Sequence, residues 1–222
     1  MTRIRDIVVA AVGLAMLSPL LLILAVLIRL DSPGSALYRQ ERVGLHGSIF
    51  RIHKFRSMRT GAVGLSLSTD GDSRITRVGR WVRASKLDEL PQLIDVLRGD
   101  MSLVGPRPEV PEYVASWPDL ERELILSVHP GITDPASVIL RHESAMLAAV
   151  DDPDRYYREV LLPLKTTVYV NYVTRRSFAG DFAVLVATLR ALITPAPAVT
   201  KDLARRFGAD FEDGGLGKCC TI

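Results

Sequence analysis

Residues 85–108 read S-K-L-D-E-L-P-Q-L-I-D-V-L-R-G-D-M-S-L-V-G-P-R-P. Leu90, Leu93, Ile94 and Leu97 fall at i, i+3, i+4 and i+7, with Gln92, Asp95 and Arg98 on the other side. The spacing predicts an amphipathic helix of about ten residues. Gly99 is placed to end it, and Pro91 is tolerable only in its first turn. That puts Asp88 at or next to the N-cap, where backbone N–H groups and the helix dipole favour an ionised carboxylate, a potential nucleophile. The same helix start favours phosphate, with Arg83, Lys86 and Arg107 near enough in sequence to supply counter-charge. The plainer alternative is a cap and a first-turn acid, Asp88 and Glu89, completed by Ser85 as a capping box.

The 222 residues suit one sizeable domain, or a domain plus a membrane element. With 28 basic against 25 acidic residues the net charge is only +3, which argues against a nucleic-acid binder. Mean hydropathy is +0.19, and the apolar excess sits at the N-terminus. Ile7 to Ile28 is an uncharged run of 22 residues between Arg3 and Arg5 on one side and Arg29 on the other. It is too long for a signal-peptide core, and Arg29-Leu30-Asp31 makes a poor cleavage site. A helix of this length reaches roughly 33 Å, enough to span a bilayer core of about 30 Å. Ser18-Pro19 divides it into arms reaching only roughly 15 Å each, which fits a re-entrant hairpin with both basic ends on one face. The residues alone leave spanning and re-entrant placements open.

Asp31-Ser32-Pro33-Gly34 reads as the turn that closes this segment. Ile49 to Phe55 then alternates apolar and polar, which predicts a short strand or extended segment. His46 and His53 read as surface or headgroup-facing residues, since neither has a partner at metal-ligand spacing. Thr60 to Gly71 is a polar loop able to lie over an active site, and Asp70-Gly71-Asp72 is a turn rather than a metal cluster. Residues 72–83 have a basic, helix-compatible pattern. Glu109 to Val128 predicts two short helices separated near Trp117-Pro118.

Asp88 to Leu93 as D-E-L-P-Q-L, Gly99 to Pro108 as G-D-M-S-L-V-G-P-R-P and Pro130 to Thr133 as P-G-I-T are joined by Gln40-x-Arg42-x-Gly44. Phe50, Lys54, Phe55, Arg56, Ser57 and Met58 complete the set. This wording resembles the bacterial sugar transferases, the monotopic polyprenyl-phosphate glycosyl-1-phosphate transferases, over roughly Ile7 to Thr133. The resemblance implies a helix-rich α+β protein. An N-terminal re-entrant membrane helix, broken at Ser18-Pro19, would span residues 1–30. A compact cytoplasmic catalytic domain with interfacial amphipathic helices would occupy 31–195, and a tail 196–222.

It further implies that Asp88 attacks the sugar-side phosphorus of a UDP-sugar, releases UMP and forms a phosphosugar-aspartyl intermediate. Polyprenyl phosphate, expected to be undecaprenyl phosphate, then takes the sugar phosphate at the cytoplasmic face of a bacterial inner membrane. Glu89 would hold Mg²⁺, and Arg83, Arg107, Lys54 and Arg56 would bind phosphate. Asp100 would support the metal or the loop. Many members of the family continue G-x-A-Q-V-N-G-R after P-G-I-T, whereas this chain reads Asp134-Pro135-Ala136-Ser137-Val138-Ile139-Leu140-Arg141. That departure leaves the donor sugar open. Two rivals stand beside this reading: a membrane-tethered adaptor without catalysis, and a glycosyltransferase that moves the sugar alone and releases UDP. No Rossmann-type glycine fingerprint supports the second.

Asp151-Asp152-Pro153-Asp154 reads as a helix start. Val160 to Val173 and Phe178 to Ile193 are apolar helices. In the second, Phe182, Leu185, Val186, Leu189 and Ile193 share a face suited either to the membrane interface or to the core. From Thr194 onward the T-P-A-P-A stretch breaks structure, and the tail ending G-G-L-G-K-C-C-T-I is expected to be mobile. Cys219 and Cys220 are its only cysteines, so a disulfide framework and a structural zinc site are excluded, and Cys219 fits a prenylation box only superficially. A homodimer is compatible with the sequence but nothing in it requires one.

Overall fold

The computed structural model describes residues 2–61, 67, 69–193 and 203–208. It is a helix-rich α+β arrangement in which a long N-terminal helix lies along a domain built from two small sheets and short helices. The long helix, α1, is Thr2–Asp31, and it continues through Ser18-Pro19. Two arms separated by a break were expected, and the structure corrects this to one element. Pro19 has no N–H to offer the carbonyl of Ala15, one turn back. The Ser18 hydroxyl donates to that same carbonyl at 2.8 Å, so the orphaned acceptor is satisfied locally.

Both ends of α1 are fastened to the domain. At its start, the Arg3 guanidinium donates to the carbonyls of Val96 (2.6 Å) and Met101 (2.7 Å). Asp6 pairs with Arg5, which also reaches Asp181. At its end, the Asp31 carboxylate accepts from the Val78 N–H at 2.8 Å, and Arg56 donates to the carbonyls of Ile28 and Ser32. Between them only Ala10, Leu24 and Ile28 are buried apolar side chains, while Val8, Val12, Met16, Leu22, Ile23 and Val26 remain exposed.

β1 (Leu37–Val43) and β2 (Ile49–Phe55) form an antiparallel hairpin with Leu37 opposite Phe55 and Val43 opposite Ile49. β2 has the bounds that its alternation predicts. α2 (Arg77–Ala84) is capped by the Thr76 hydroxyl, which accepts from Gly79 N–H. The expected ten-residue helix after it is two pieces, a 3₁₀ segment Leu87–Gln92 followed by α3 (Leu93–Arg98), which stops at Gly99 with φ 101°. Its face also differs from the periodicity. Gln92 and Asp95 are buried and Leu97 is 39% exposed, because α1 packs beside Leu93 and the domain interior lies on the Asp95 side. Ser85 completes no capping box. It closes α2, its hydroxyl donating to the carbonyls of Trp81 and Val82.

β3 (Ser102–Val104) pairs in parallel with β4 (Gly131–Thr133), so G-P-R-P and P-G-I-T, separate in sequence, become neighbours. The approach is close: a Cβ on Gly131 would lie 2.1 Å from the Gly105 nitrogen and 2.5 Å from its carbonyl oxygen. Backbone cannot yield as a flexible side chain does. Gly131→Ala is therefore expected to destabilise by about 3 kcal/mol or more, measured as loss of folded yield and a lowered midpoint of thermal unfolding in detergent.

Between these strands lie α4 (Pro111–Val114) and α5 (Asp119–Ile125), the two expected short helices, with Trp117 between them in the core. Then come α6 (Pro135–Ile139), α7 (Glu143–Ala148) and α8 (Pro153–Tyr156), the last capped by Asp152 as the acids predict. α9 (Leu162–Thr174) and α10 (Phe178–Ile193) complete the domain. On α10, Val184 and Ala187 are buried, while Phe178, Phe182, Leu189 and Leu192 face outward. Beyond α10, residues 203–208 pack inward: Leu203, Ala204 and Phe207 are buried, and Asn171 donates to the Phe207 carbonyl, while the end of the tail expected to be mobile lies outside the described residues. The cysteines, and residues 62–66 and 68 of the polar loop, lie outside the described residues.

Candidate active site

Lys86 sits in the left-handed region at φ 56°, turning the chain sharply between α2 and the 3₁₀ segment. That turn brings Asp88 and Glu89 under β2 and beside the G-P-R-P loop. Glu89 is the hub. Lys54, near the end of β2, donates to Glu89 Oε1 at 3.0 Å, and Arg107 makes a forked contact with both carboxylate oxygens. The loop bearing Arg107 is held to β1, where Arg42 donates to the Pro108 carbonyl and pairs with Glu109, itself bonded by the Tyr157 hydroxyl.

The carboxylates are driven apart in acidity. Burial pushes Glu89 up, but Arg107 and Lys54 outweigh it and hold the group well below the ordinary glutamate range. Asp88 goes the other way: burial raises it, the charge on Glu89 adds to the effect, and Lys54, Arg83 and Lys86 oppose it. Asp88 Oδ1 is buried without a hydrogen-bond partner. This corrects the expectation of a capped, dipole-stabilised anion. The N-cap position is Lys86, and no side-chain cap hydrogen bond is made there.

Lys54, Arg83, Asp88, Glu89 and Arg107 are thus gathered at one place. Arg83, on the last turn of α2, donates to the Ser57 hydroxyl at 3.3 Å and acts on Asp88 through its charge. Arg56 is not in this group. Its guanidinium is taken up by the carbonyls of Ile28, Ser32 and Pro33 and the Thr60 hydroxyl, so it ties down the exit of α1 rather than awaiting a phosphate. Asp100 follows Gly99 at the far end of α3, its backbone N–H donating to the Asp95 carbonyl.

Two partners escaped the sequence reading. His53, expected at the surface, is 2% exposed. Asp95 accepts from the His53 backbone N–H at 2.8 Å and meets its ring nitrogen Nδ1 at 2.5 Å. This clasp locks α3, which continues directly from the Asp88 segment, to the strand that carries Lys54. Only a buried acid on a supposedly solvated face signals it, and burial is what periodicity misjudged. Asp134, fully buried, caps α6 and adds a second negative charge near Arg107, while burial raises its own carboxyl.

An unpartnered carboxylate oxygen, a second carboxylate held anionic beside it and three cations form a site able to bind phosphates and to attack one of them. The matching proteins agree in kind. A family model described as bacterial sugar transferase matches residues 1–195. The UDP-glucose:undecaprenyl-phosphate glucose-1-phosphate transferase of Caulobacter vibrioides is 46% identical over 205 residues, covering 86% of this chain and 69% of that protein. A UDP-N-acetylgalactosamine-undecaprenyl-phosphate N-acetylgalactosaminephosphotransferase of Aeromonas hydrophila is 45% identical, covering 86% of this chain and 43% of the relative. A Bacillus subtilis protein described as an undecaprenyl-phosphate N-acetylgalactosaminyl 1-phosphate transferase is 46% identical over 117 residues, 52% of this chain and 65% of its own length. With its motifs folded into one charged site and a family match over most of its length, this chain belongs to the bacterial sugar transferase family.

Proposed function

We propose that this protein transfers a sugar-1-phosphate from a UDP-sugar to a polyprenyl phosphate, undecaprenyl phosphate in the first instance, through a covalent intermediate on Asp88. The observation that carries the reading is the Asp88 oxygen, buried and unpartnered beside a Glu89 already clamped by Lys54 and Arg107. A nucleophile needs an open lone pair, and a phosphate needs the cations.

In the first step an Asp88 oxygen forms a bond to the sugar-side phosphorus. The bridging P–O bond breaks, and its electron pair leaves on the phosphate of UMP. In the second, a polyprenyl phosphate oxygen attacks the same phosphorus and the Asp88 carboxylate departs unchanged, giving polyprenyl-diphosphate-sugar. Lys54 and Arg107 stand on Glu89 where an incoming diphosphate would draw them, and Arg83 faces the Asp88 side.

Two adjacent carboxylates, one with a free oxygen, suit Mg²⁺, which binds one or two protein carboxylates and completes its shell with water and substrate phosphate. Glu89, with Asp88 beside it, would hold the ion, whose contribution is neutralisation of diphosphate charge.

The same reading seats the protein on one leaflet, at the cytoplasmic face of the inner membrane. A straight helix of 30 residues is about 45 Å long, longer than a bilayer core of about 30 Å. Because both ends of α1 are bound by one domain, crossing would drag that domain through the hydrocarbon. Entry without crossing, with the apolar stripe of α10 at the interface, satisfies both. Residues 1–30 then serve as the membrane element of the catalytic domain 31–195.

The test is nucleotide release by protein in lipid with Mg²⁺, undecaprenyl phosphate and a panel of UDP-sugars. The relatives' names put UDP-glucose and UDP-N-acetylgalactosamine first in that panel. UMP from one donor, dependent on the acceptor for turnover, is expected. UDP would mean that the sugar moves without its phosphate, and silence across the panel in folded protein would favour an adaptor.

A further inference from the structure

The cations of α2 divide by face. Val78 and Val82 turn inward with Leu24, Ile28 and Phe55 at the C-terminal half of α1. Arg77, Arg80, Trp81 and Ala84, at i, i+3, i+4 and i+7, are all exposed. The helix contains no acidic residue, and neither Arg77 nor Arg80 closes a salt bridge among the described residues. This is unlike Arg3, Arg5 and Arg56, whose guanidinium groups are all tied down. Trp81 is 55% exposed on a helix that packs through Val78 and Val82 on Leu24 and Ile28 of α1, and α1 itself exposes Leu22, Ile23, Val26 and Leu30. Arg29 and Lys86, also exposed, extend the basic border at the two ends.

We propose that the Arg77-Arg80-Trp81 stripe of α2 is a docking surface for the headgroups of anionic glycerophospholipids in the leaflet that receives α1. The inference rests on the membrane seat described above. Arg80, and Arg77 with only the charge of Asp31 near it, flank an amphipathic ring without a salt bridge among the described residues, which matches the interfacial layer where acidic headgroups meet the first acyl carbons. The stripe is roughly 10 Å from Arg77 to Ala84, wide enough to meet more than one headgroup, which favours bulk lipid over a single acceptor phosphate. Held there, α2 fixes the depth of the segment that follows it, which carries Asp88.

Trp81 supplies its own reporter, because the other tryptophan, Trp117, is 4% exposed in the core. Wild-type protein is placed in bilayer discs of phosphatidylcholine and phosphatidylglycerol, without polyprenyl phosphate, with bromine on the acyl chains of one lipid or the other at equal mole fraction. Trp81→Phe gives the background. Brominated phosphatidylglycerol is expected to quench Trp81 about twofold more than brominated phosphatidylcholine. That preference should vanish in Arg77→Gln/Arg80→Gln and fall steeply in about 0.5 M salt. Equal quenching by the two lipids at low salt, quenching by neither, or a preference that survives both the double substitution and salt overturns the proposal. The salt arm uses unmodified protein, so the result does not hang on the variant's folding. Turnover does not enter the signal: protein that prefers the acidic lipid yet releases no nucleotide refutes the transferase reading alone.

Discussion

Asp88→Asn is expected to lose turnover by about 10⁴-fold or more, while the protein becomes no less stable and gains about 1 kcal/mol. The two effects have one cause. Asp88 Oδ1 is buried with no hydrogen-bond partner, so the ionised group is useful to a reaction and costly to the fold. The sign follows from its acidity. A carboxyl raised above its unfolded value contributes stability below that value and loses it as pH rises through the folded one. At neutral pH the anion is therefore a liability, and an amide of the same shape removes it. The midpoint of thermal unfolding should rise by about 2–4 °C, as UMP release disappears. In the wild type, the acid limb of kcat/KM should lie above the ordinary aspartate range, as a property of the coupled Asp88 and Glu89 pair. A stable, still active Asp88→Asn protein would remove Asp88 from the chemistry.

Glu89→Gln is expected to fail in the opposite way, losing stability and activity together. Glu89 is the anion that pairs Lys54 and Arg107, and its side chain is 15% exposed. Removing the charge strands two cations in a largely buried place, which costs about 3–5 kcal/mol. The pH dependence reverses as well. Glu89 is held below its ordinary value, so its contribution is present above that value and is lost as pH falls through the folded one. Wild-type stability should drop on acidification more steeply than that of Glu89→Gln. Lys54→Met in the Glu89→Gln background should recover part of the stability and none of the turnover, as read by thermal unfolding and nucleotide release on the same preparations. Full recovery of activity would show that Glu89 serves the fold alone.

Local chemistry was legible wherever the chain makes its decisions over short distances. The alternation of Ile49 to Phe55 gave the bounds of β2, Gly99 ended α3, and Asp152 announced α8. The motifs named Asp88, Glu89, Lys54 and Arg107, and the fold brings them together. What failed depended on who lies on either side. The rule that polar residues face water put Gln92 and Asp95 outside, but α3 is sandwiched between α1 and the interior, and Asp95 was needed inward by His53. Arg56 belongs to the motif that also supplies Lys54, and strand alternation at i and i+2 would put both on one face, but β2 ends at Phe55 and Arg56 lies just past it, among the carbonyls at the end of α1. The close approach of Gly105 to Gly131 joins segments with two helices between them, a distance no local rule bridges.

The bonds from Arg3 to Val96 and Met101 also set an order of events during synthesis. The partners are 93 and 98 residues apart, so at about 5–20 residues per second the first turn of α1 waits roughly 5–20 s for the carbonyls that will hold it. In that interval α1 lacks the domain partners that will hold it, and Ser18 already satisfies the acceptor that Pro19 left open. The apolar helix is thus complete in its own hydrogen bonds before its domain exists, and under the proposed membrane seat the nascent domain assembles against it.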